Sequence, residues 1–341
     1  MFSFEKDQGR EFEVSHIIGS REFRNYIRSA VENLPEYRAA KEIAEKFDVS
    51  MAIKYVLFVG VNDWGLTWVH YGDYKGSDAL WHATKDALIE LGTFNVDKLT
   101  QHVLEKLHFS SGKRRIYFEK ISRFIGSEQV LALINDWIKT KVIDEDSLRQ
   151  VLENIQNEIE KKIPVDKILN LIMRTYSYFL KPLGFKVKAK ETVIFDVHVA
   201  KVTLRLGLVK AKPKASFKSK YIPVGFPLTG NRMLKQKVIE AWNEISKSSG
   251  VSVWDIDVAL WYIGKNFCLF DDELLQQNSN INPNQLQKTS CPYRRLGLEL
   301  RCPLRDACES YRSEIGLRIL SQRVASESEV VLFLDNLRKL L

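Results

Sequence analysis

Residues 193–209 read Val-Ile-Phe-Asp196-Val-His198-Val-Ala-Lys-Val-Thr-Leu-Arg-Leu-Gly-Leu-Val. Apolar residues recur at helical spacing after the aspartate, so the pattern predicts an amphipathic helix that begins at Asp196. Aspartate is favoured at a helix start, because its carboxylate accepts hydrogen bonds from the free amides of the first turn. Capping alone explains Asp196 and packing alone explains His198, so a functional role needs support from the rest of the chain.

Most of the remaining chain also shows helical periodicity and no internal repeat, which predicts an all-α protein. Residues 51–60 are an apolar run that fits either a buried helix or a strand. Residues 271–290 are rich in Asn and Gln and are predicted to form a loop. The predicted helices lie at 21–47 with a break at Pro35, and at 78–92, 96–108, 113–125, 128–139, 145–162, 166–180, 231–247, 253–267 and 309–341.

Composition limits the class of protein. The chain has 341 residues, 45% of them hydrophobic, so it can bury a substantial core. Its net charge of +8 favours a polyanionic partner, with nucleic acid first and an anionic membrane surface second. The first residues lack a signal-peptide pattern, and no apolar run is long enough to span a bilayer. We therefore expect an intracellular protein, in the cytoplasm or nucleoid, without a membrane partner.

All four cysteines fall in the last quarter of the chain, at Cys268, Cys291, Cys302 and Cys308. Four thiolates suit one iron–sulfur cluster or one zinc ion, and two disulfides would also use four cysteines. The reducing compartment that we expect disfavours disulfides, so the sequence favours metal or cluster ligation.

Two parts of the sequence resemble the helix-hairpin-helix DNA glycosylases, the superfamily of endonuclease III and adenine glycosylase. Residues 193–202 are similar to the family's strand-to-helix segment, whose pattern is apolar–Asp–x–His–apolar–x–Arg/Lys. Downstream, Gly264-Lys-Asn-Phe-Cys268 and Cys302-Pro-Leu-Arg-Asp-Ala-Cys308 resemble the two ends of the family's iron–sulfur motif. The order along the chain also matches, and the resemblance covers roughly residues 160 to 308.

The resemblance implies roles for particular residues. Asp196 would be the catalytic carboxylate, Lys167 would take the position of the Schiff-base lysine, and the four cysteines would hold a [4Fe–4S] cluster, with zinc as the alternative. A carboxylate can stabilise the positive charge that develops on the sugar when an N-glycosidic bond breaks. A lysine can attack the sugar carbon instead and add AP-lyase activity. We therefore expect a base-excision-repair glycosylase that removes a damaged or mispaired base from double-stranded DNA.

Two departures from the family pattern keep other functions open. The family spaces its cysteines six, two and five residues apart, whereas the gaps here are 22, 10 and 5 residues. The family's hairpin Leu-Pro-Gly-Val-Gly-x-Lys corresponds to Ile163-Pro-Val-Asp-Lys167, which lacks both glycines that let DNA phosphate approach the backbone. Lys167 fits a solvated lysine in a first helical turn equally well. The alternatives are a non-catalytic nucleic-acid-binding protein on the same fold and an N-glycosidase that acts on RNA or a nucleoside.

Basic residues cluster in two places that could contact the DNA backbone, a predicted flexible loop and the segment between the cysteines. They are Lys210, Lys212, Lys214, Lys218 and Lys220, and Arg294, Arg295, Arg301 and Arg305. A flipped base could stack among Trp64, Trp68, His70 and Tyr71. The four-residue spacing of the two tryptophans, however, favours one buried face of a helix.

The predicted organisation has three parts. Residues 1–47 form N-terminal helices that pack with the cysteine-bearing part. Residues 48–205 form a helical subdomain that contains the degenerate hairpin and Asp196. Residues 206–341 hold the basic loop and the cysteines, and the predicted site lies in the cleft between the two subdomains. The sequence selects neither the base that is removed nor the oligomeric state.

Overall fold

The computed structural model describes residues 2–66, 69–109, 112–213, 221–223, 230–269, 291, 302–312 and 318–320. Within these residues the chain is mostly α-helical, and its strands form small two-stranded sheets. The predicted all-α class is confirmed. No helix in the described part of the chain combines the length and apolar character that a membrane crossing requires.

The chain divides into two compact units. The first joins Met1–Ala30 to Thr192–Leu341, and the second is Val31–Glu191. The boundaries between the units thus fall at 30/31 and 191/192, whereas the predicted subdomain boundaries were at 47/48 and 205/206. In the structure, Asp196 belongs to the same unit as the four cysteines, because the helix that it caps packs against the helix that precedes Cys268.

In the second unit, the apolar run 51–60 forms a buried helix rather than a strand. Asp48 caps this helix by accepting a hydrogen bond from the Met51 amide at 2.7 Å. A Cβ on Gly60 would overlap the side chain of Ile172, so a glycine is needed where two of the helices cross. The unit's helices are α3 Pro35–Lys46, α4 Val49–Asn62, α5 Ser77–Leu91, α6 Val96–Lys106, α7 Lys113–Ile125, α8 Glu128–Thr140, α9 Glu145–Ile159 and α10 Val165–Leu180. Its strands are β2 His70–Tyr71 with β3 Tyr74–Lys75, and β4 Val142–Asp144 with β5 Lys186–Lys188.

The first unit is built from segments that lie far apart in the sequence. Its helices are α1 Gln8–Gly19, α2 Arg21–Glu32, which runs into the second unit, α11 Val197–Leu206, α12 Arg232–Ser249, α13 Val253–Asn266 and α14 Glu309–Arg312. Its strands are β1 Phe2–Lys6, β6 Val209–Pro213, β7 Tyr221–Pro223 and β8 Arg318–Leu320, with β1 antiparallel to β6 and β7 parallel to β8. Trp242 on α12 donates to the hydroxyl of Thr203 on α11 at 2.8 Å inside the core.

Two predictions about this unit are wrong in part. Residues 209–213 were predicted to begin a flexible loop, but they form β6, because β1 supplies backbone partners from the opposite end of the chain. Residues 309–341 were predicted to be helical throughout. The described part of that segment contains only the short helix α14 and the strand β8, whose partner is β7.

Candidate functional site

Asp196 is the N-cap of α11, as predicted. Its Oδ1 accepts hydrogen bonds from the amides of His198 at 2.8 Å and Val199 at 2.9 Å. The carboxylate is therefore fixed at the positive end of the helix dipole. No described residue donates a hydrogen bond to Oδ2, so this second oxygen is the one that can face a substrate.

The segment that precedes Asp196 is anchored by a buried carboxylate that the sequence analysis missed. Asp257 on α13 is 1% exposed, and its Oδ1 accepts the amide of Ile194 at 2.7 Å. The available signal was a second acidic residue, two positions after Asp255, in a largely apolar helix, because such a group is buried only when it has a hydrogen-bond partner. Asp257 thus ties the chain two residues before Asp196 to α13.

His198 lies where α11 and α13 come closest. A Cβ added to Gly264 would stand 2.6 Å from the Cβ of His198, so the crossing requires glycine on α13. The imidazole meets the ring of Trp261 edge to face, with centroids 6.3 Å apart. Burial lowers the pKa of His198, while the Asp196 carboxylate acts in the opposite direction. The ring is therefore disposed to remain neutral beside Asp196.

Lys167 stands in the first turn of α10 and is exposed. The preceding Asp166 forms an ion pair with Arg149 at 3.4 Å. Lys167 belongs to the second unit and Asp196 to the first. Its role as an amine nucleophile stays a prediction.

All four cysteines line one cavity of ≈ 30 Å³. Cys291 is buried, the other three are half-buried, and none of the four forms a disulfide. Burial, together with the neighbouring Cys268 and Cys291, raises the pKa of Cys308 to about 12. Burial likewise raises the pKa of Cys302. A cation in the cavity would remove this penalty, because a bound metal stabilises thiolates.

The donor set fits a thiolate-bound metal centre. Sulfur ligands select zinc or an iron–sulfur cluster over hard cations such as calcium or magnesium. In the described part of the chain, however, no three His, Cys, Asp or Glu side chains are grouped closely enough to hold a metal ion. The four thiols therefore line the same cavity but do not converge on one metal position.

Arg205 connects α11 to this cavity and was also missed from the sequence. It is 2% exposed, and its Nη1 donates to the Sγ of Cys268 at 3.2 Å and to the carbonyl of Leu269 at 2.6 Å. The thiol of Cys308 donates to the Arg205 carbonyl at 3.5 Å. The signal was a second basic residue four positions after Lys201 on a helix with an apolar face. Helix α11 thus has Asp196 at its N-terminus and, near its C-terminus, Arg205, which is hydrogen-bonded to Cys268.

Three of the nine predicted DNA-contacting residues belong to the described part of the chain. Lys214, Lys218, Lys220, Arg294, Arg295 and Arg301 lie outside the described residues. Lys210 is on β6, where its Nζ pairs with Asp7 at 2.7 Å, and Arg305 pairs with Asp306 at 2.8 Å. Lys212 is also on β6. Their contacts with DNA stay predictions.

The predicted base pocket is only partly described. Helix α4 ends at Asn62, so Trp64 lies in a turn, and the interpretation of a single helical face is wrong. Trp68 lies outside the described residues. His70 is exposed on the β2–β3 hairpin, and the hydroxyl of Tyr71 donates to Asp86 at 2.9 Å. No described contact gathers these residues into one pocket.

Comparison with known proteins gives two matches. Residues 20–290 match the model of the AGOG family, which is described as N-glycosylase/DNA lyase. The match includes Lys167 and Asp196 but ends before Cys291. An 8-oxoguanine DNA glycosylase/AP lyase of Korarchaeum cryptofilum (strain OPF8) is 25% identical over 117 residues, which are 34% of this chain and 47% of the relative. The chain thus matches about half the length of that relative.

Proposed function

Because the chain belongs to the AGOG family of N-glycosylase/DNA lyases, we propose that it removes a damaged base from double-stranded DNA and then cleaves the abasic strand. The observation that carries the proposal is the fixed carboxylate of Asp196 at the start of α11. The relative's printed activity makes oxidised guanine the first lesion to test. The net charge of +8 supports a polyanionic substrate.

Asp196 would act on the sugar rather than on the base. Its Oδ1 is held by two amides, so Oδ2 can approach the sugar without reorganising the carboxylate. Positive charge that develops on the sugar in the transition state is then stabilised by a fixed negative group. The same carboxylate can orient a water molecule when water is the nucleophile.

Lys167 would supply the lyase chemistry. Its amine, once deprotonated, would attack the C1′ carbon of the sugar as the base leaves, and the Schiff base that forms would permit elimination of the 3′ phosphate. The support is the position of Lys167 after the hairpin-like segment and inside the matched range. Its exposure on the first turn of α10 leaves the amine accessible to a substrate.

We also propose that Cys268, Cys291, Cys302 and Cys308 hold a metal centre, a [4Fe–4S] cluster with zinc as the alternative. The shared cavity supports this proposal. When bound, the centre would cross-link three stretches of chain and would take no part in base release. Purified protein that is brown and contains iron and sulfide would identify the cluster, and one colourless zinc per chain would identify zinc. Absence of both metals from freshly purified protein would overturn the proposal.

The glycosylase proposal is tested with duplexes that each contain one lesion, beginning with 8-oxoguanine opposite cytosine. The expected result is release of the lesion by wild type, strand cleavage at the abasic site, and no release by Asp196→Asn. Tight binding without product, unchanged in Asp196→Asn, would instead support the non-catalytic alternative, which the missing hairpin glycines favour. Product only from RNA or a nucleoside would support the other alternative, an N-glycosidase with a substrate other than DNA.

A further inference from the structure

In the second unit, a tryptophan lies beside two cations. The guanidinium carbon of Arg114 is 4.3 Å from the Trp64 ring centroid, and the Nζ of Lys161 is 5.4 Å from it. Lys161 is also 4.7 Å from the ring centroid of Tyr117, whose ring lies 6.4 Å from that of Trp64. We call Trp64, Arg114, Tyr117 and Lys161 the cation–aromatic cluster.

The two cations of the cluster have no anionic partner in the part of the chain that the structure describes. Among the described residues, no carboxylate is close enough to Arg114 or Lys161 to form an ion pair. The Nη2 of Arg114 donates to the Asn62 carbonyl at 2.6 Å, whereas Nε and Nη1 are buried without a hydrogen-bond partner in the described structure. Unused guanidinium donors are costly when they are removed from water, and a second positive charge nearby adds to that cost.

Burial also disfavours the charged form of Arg114. It lowers the pKa of the guanidinium to about 10, and the nearby Asp63 acts in the opposite direction. Asp63 is already engaged, because it accepts hydrogen bonds from Ser77 at 2.6 Å and Trp81 at 3.2 Å. An external anion beside the exposed amine of Lys161 would therefore balance positive charge that no described carboxylate pairs.

Lys161 of the cluster is exposed, so an external anion can reach its amine. Among the described residues, no atom lies within 4 Å of a Cβ built on Gly65, which follows Trp64, or on Gly112. Helix α7 begins at Lys113, and its first turn has no acidic residue and no side-chain cap. The free amides at that helix start add to the positive potential around Arg114.

We propose that the cation–aromatic cluster binds a backbone phosphate of a DNA strand. Proteins that track a nucleic-acid strand combine basic side chains for the phosphates with aromatic rings beside them, which is the composition found here. The choice of DNA over other phosphate compounds rests on the proposed function. Binding of an anion by the cluster does not require the glycosylase reaction, because no base has to leave for a phosphate to bind.

The test measures binding to an undamaged duplex as a function of salt. Loss of one phosphate contact lowers the slope of log K against log [salt] by about 0.9, which weakens binding by about eightfold near ~0.1 M salt. We expect this change for Lys161→Gln. The matched control is Lys139→Gln, an exposed lysine on α8 without a described ion pair or ring contact, which should change affinity less than about twofold. Equal slopes for Lys161→Gln and wild type would overturn the proposal.

A second variant separates the effect of the planar guanidinium donors of Arg114 from the effect of its positive charge. Arg114→Lys keeps one positive charge but loses the planar donors, so we expect weaker duplex binding with a slope close to that of wild type. Inorganic phosphate is the competing probe. If phosphate binds wild type and not Lys161→Gln while both proteins bind the duplex equally, the site serves a free anion and the assignment to DNA is wrong. Undamaged duplex requires no catalysis, so failure of the glycosylase assay would leave this result intact.

Discussion

The two predicted catalytic groups are held in contrasting ways. In the first unit, the Asp196 carboxylate is fixed by the backbone amides of His198 and Val199, and Asp257 anchors the chain two residues before it. In the second unit, Lys167 projects from the first turn of α10 and is exposed. A group that stabilises charge must be oriented before the substrate arrives, because reorientation would consume the benefit. An amine that forms a covalent bond can be positioned by the substrate itself, so its side chain can be flexible before the substrate binds.

The largest expected effect is the loss of base release in Asp196→Asn. Removal of one preorganised electrostatic group typically costs about 10²–10³ in rate. Asparagine caps helices as well as aspartate does, so the free energy of unfolding should change little. Single-turnover release of 8-oxoguanine and urea unfolding measure the two quantities.

Asp196→Ala is the companion variant, because it removes the charge and the cap together. It should lose the same rate and, in addition, roughly 0.5–2 kcal/mol of stability. If Asp196→Asn keeps its rate within about tenfold of wild type, the fixed carboxylate is a cap and the contrast with Lys167 disappears.

Lys167→Gln should have the second-largest effect, and it should change the product more than the base release. The Schiff base requires this amine, so borohydride should trap no protein–DNA adduct and strand cleavage should stop. Base release should fall less than in Asp196→Asn, since water can replace the amine as nucleophile. Lys162→Gln, an exposed lysine nearby, is the control and should form the adduct normally. An adduct that persists in Lys167→Gln would assign the chemistry to another amine.

Asp257→Ala tests whether the first unit depends on its buried anchor. The Ile194 amide would lose its acceptor inside the core, which typically costs about 1–3 kcal/mol. Asp257→Asn keeps an acceptor oxygen and should cost less. Urea unfolding of both variants gives the comparison, and an alanine variant as stable as wild type would show that the segment before Asp196 holds itself in place.

Local sequence patterns predicted most of the helices and the cap at Asp196. They did not predict contacts between segments that lie far apart in the sequence. The helices and the cap at Asp196 follow from side-chain periodicity and from amides within one turn. The pairing of β1 with β6 joins residues about 200 positions apart, and no local pattern contains that information. Asp257 and Arg205 acquire their importance from partners on other segments, so nothing in their own helices distinguishes them from Asp255 and Lys201.

The smallest expected effect is the pH dependence that His198 contributes to stability. Its pKa in the folded protein is lowered, chiefly by burial, with Lys201 and Lys265 adding to the decrease and Asp196 opposing it. Above its ordinary pKa of about 6.5 the imidazole is neutral in both states, so its contribution is complete. Below that pH the unfolded chain binds the proton first, and stability falls as the pH drops through the lowered pKa. The melting temperature is compared at about pH 7.5 and about pH 5.5, which lie about one unit above and below the ordinary histidine pKa. Its decrease between these two values should be smaller in His198→Gln than in wild type. His70→Gln, a variant of an exposed histidine in the second unit, should keep the wild-type decrease, whereas an equal decrease in all three proteins would place the titrating group elsewhere.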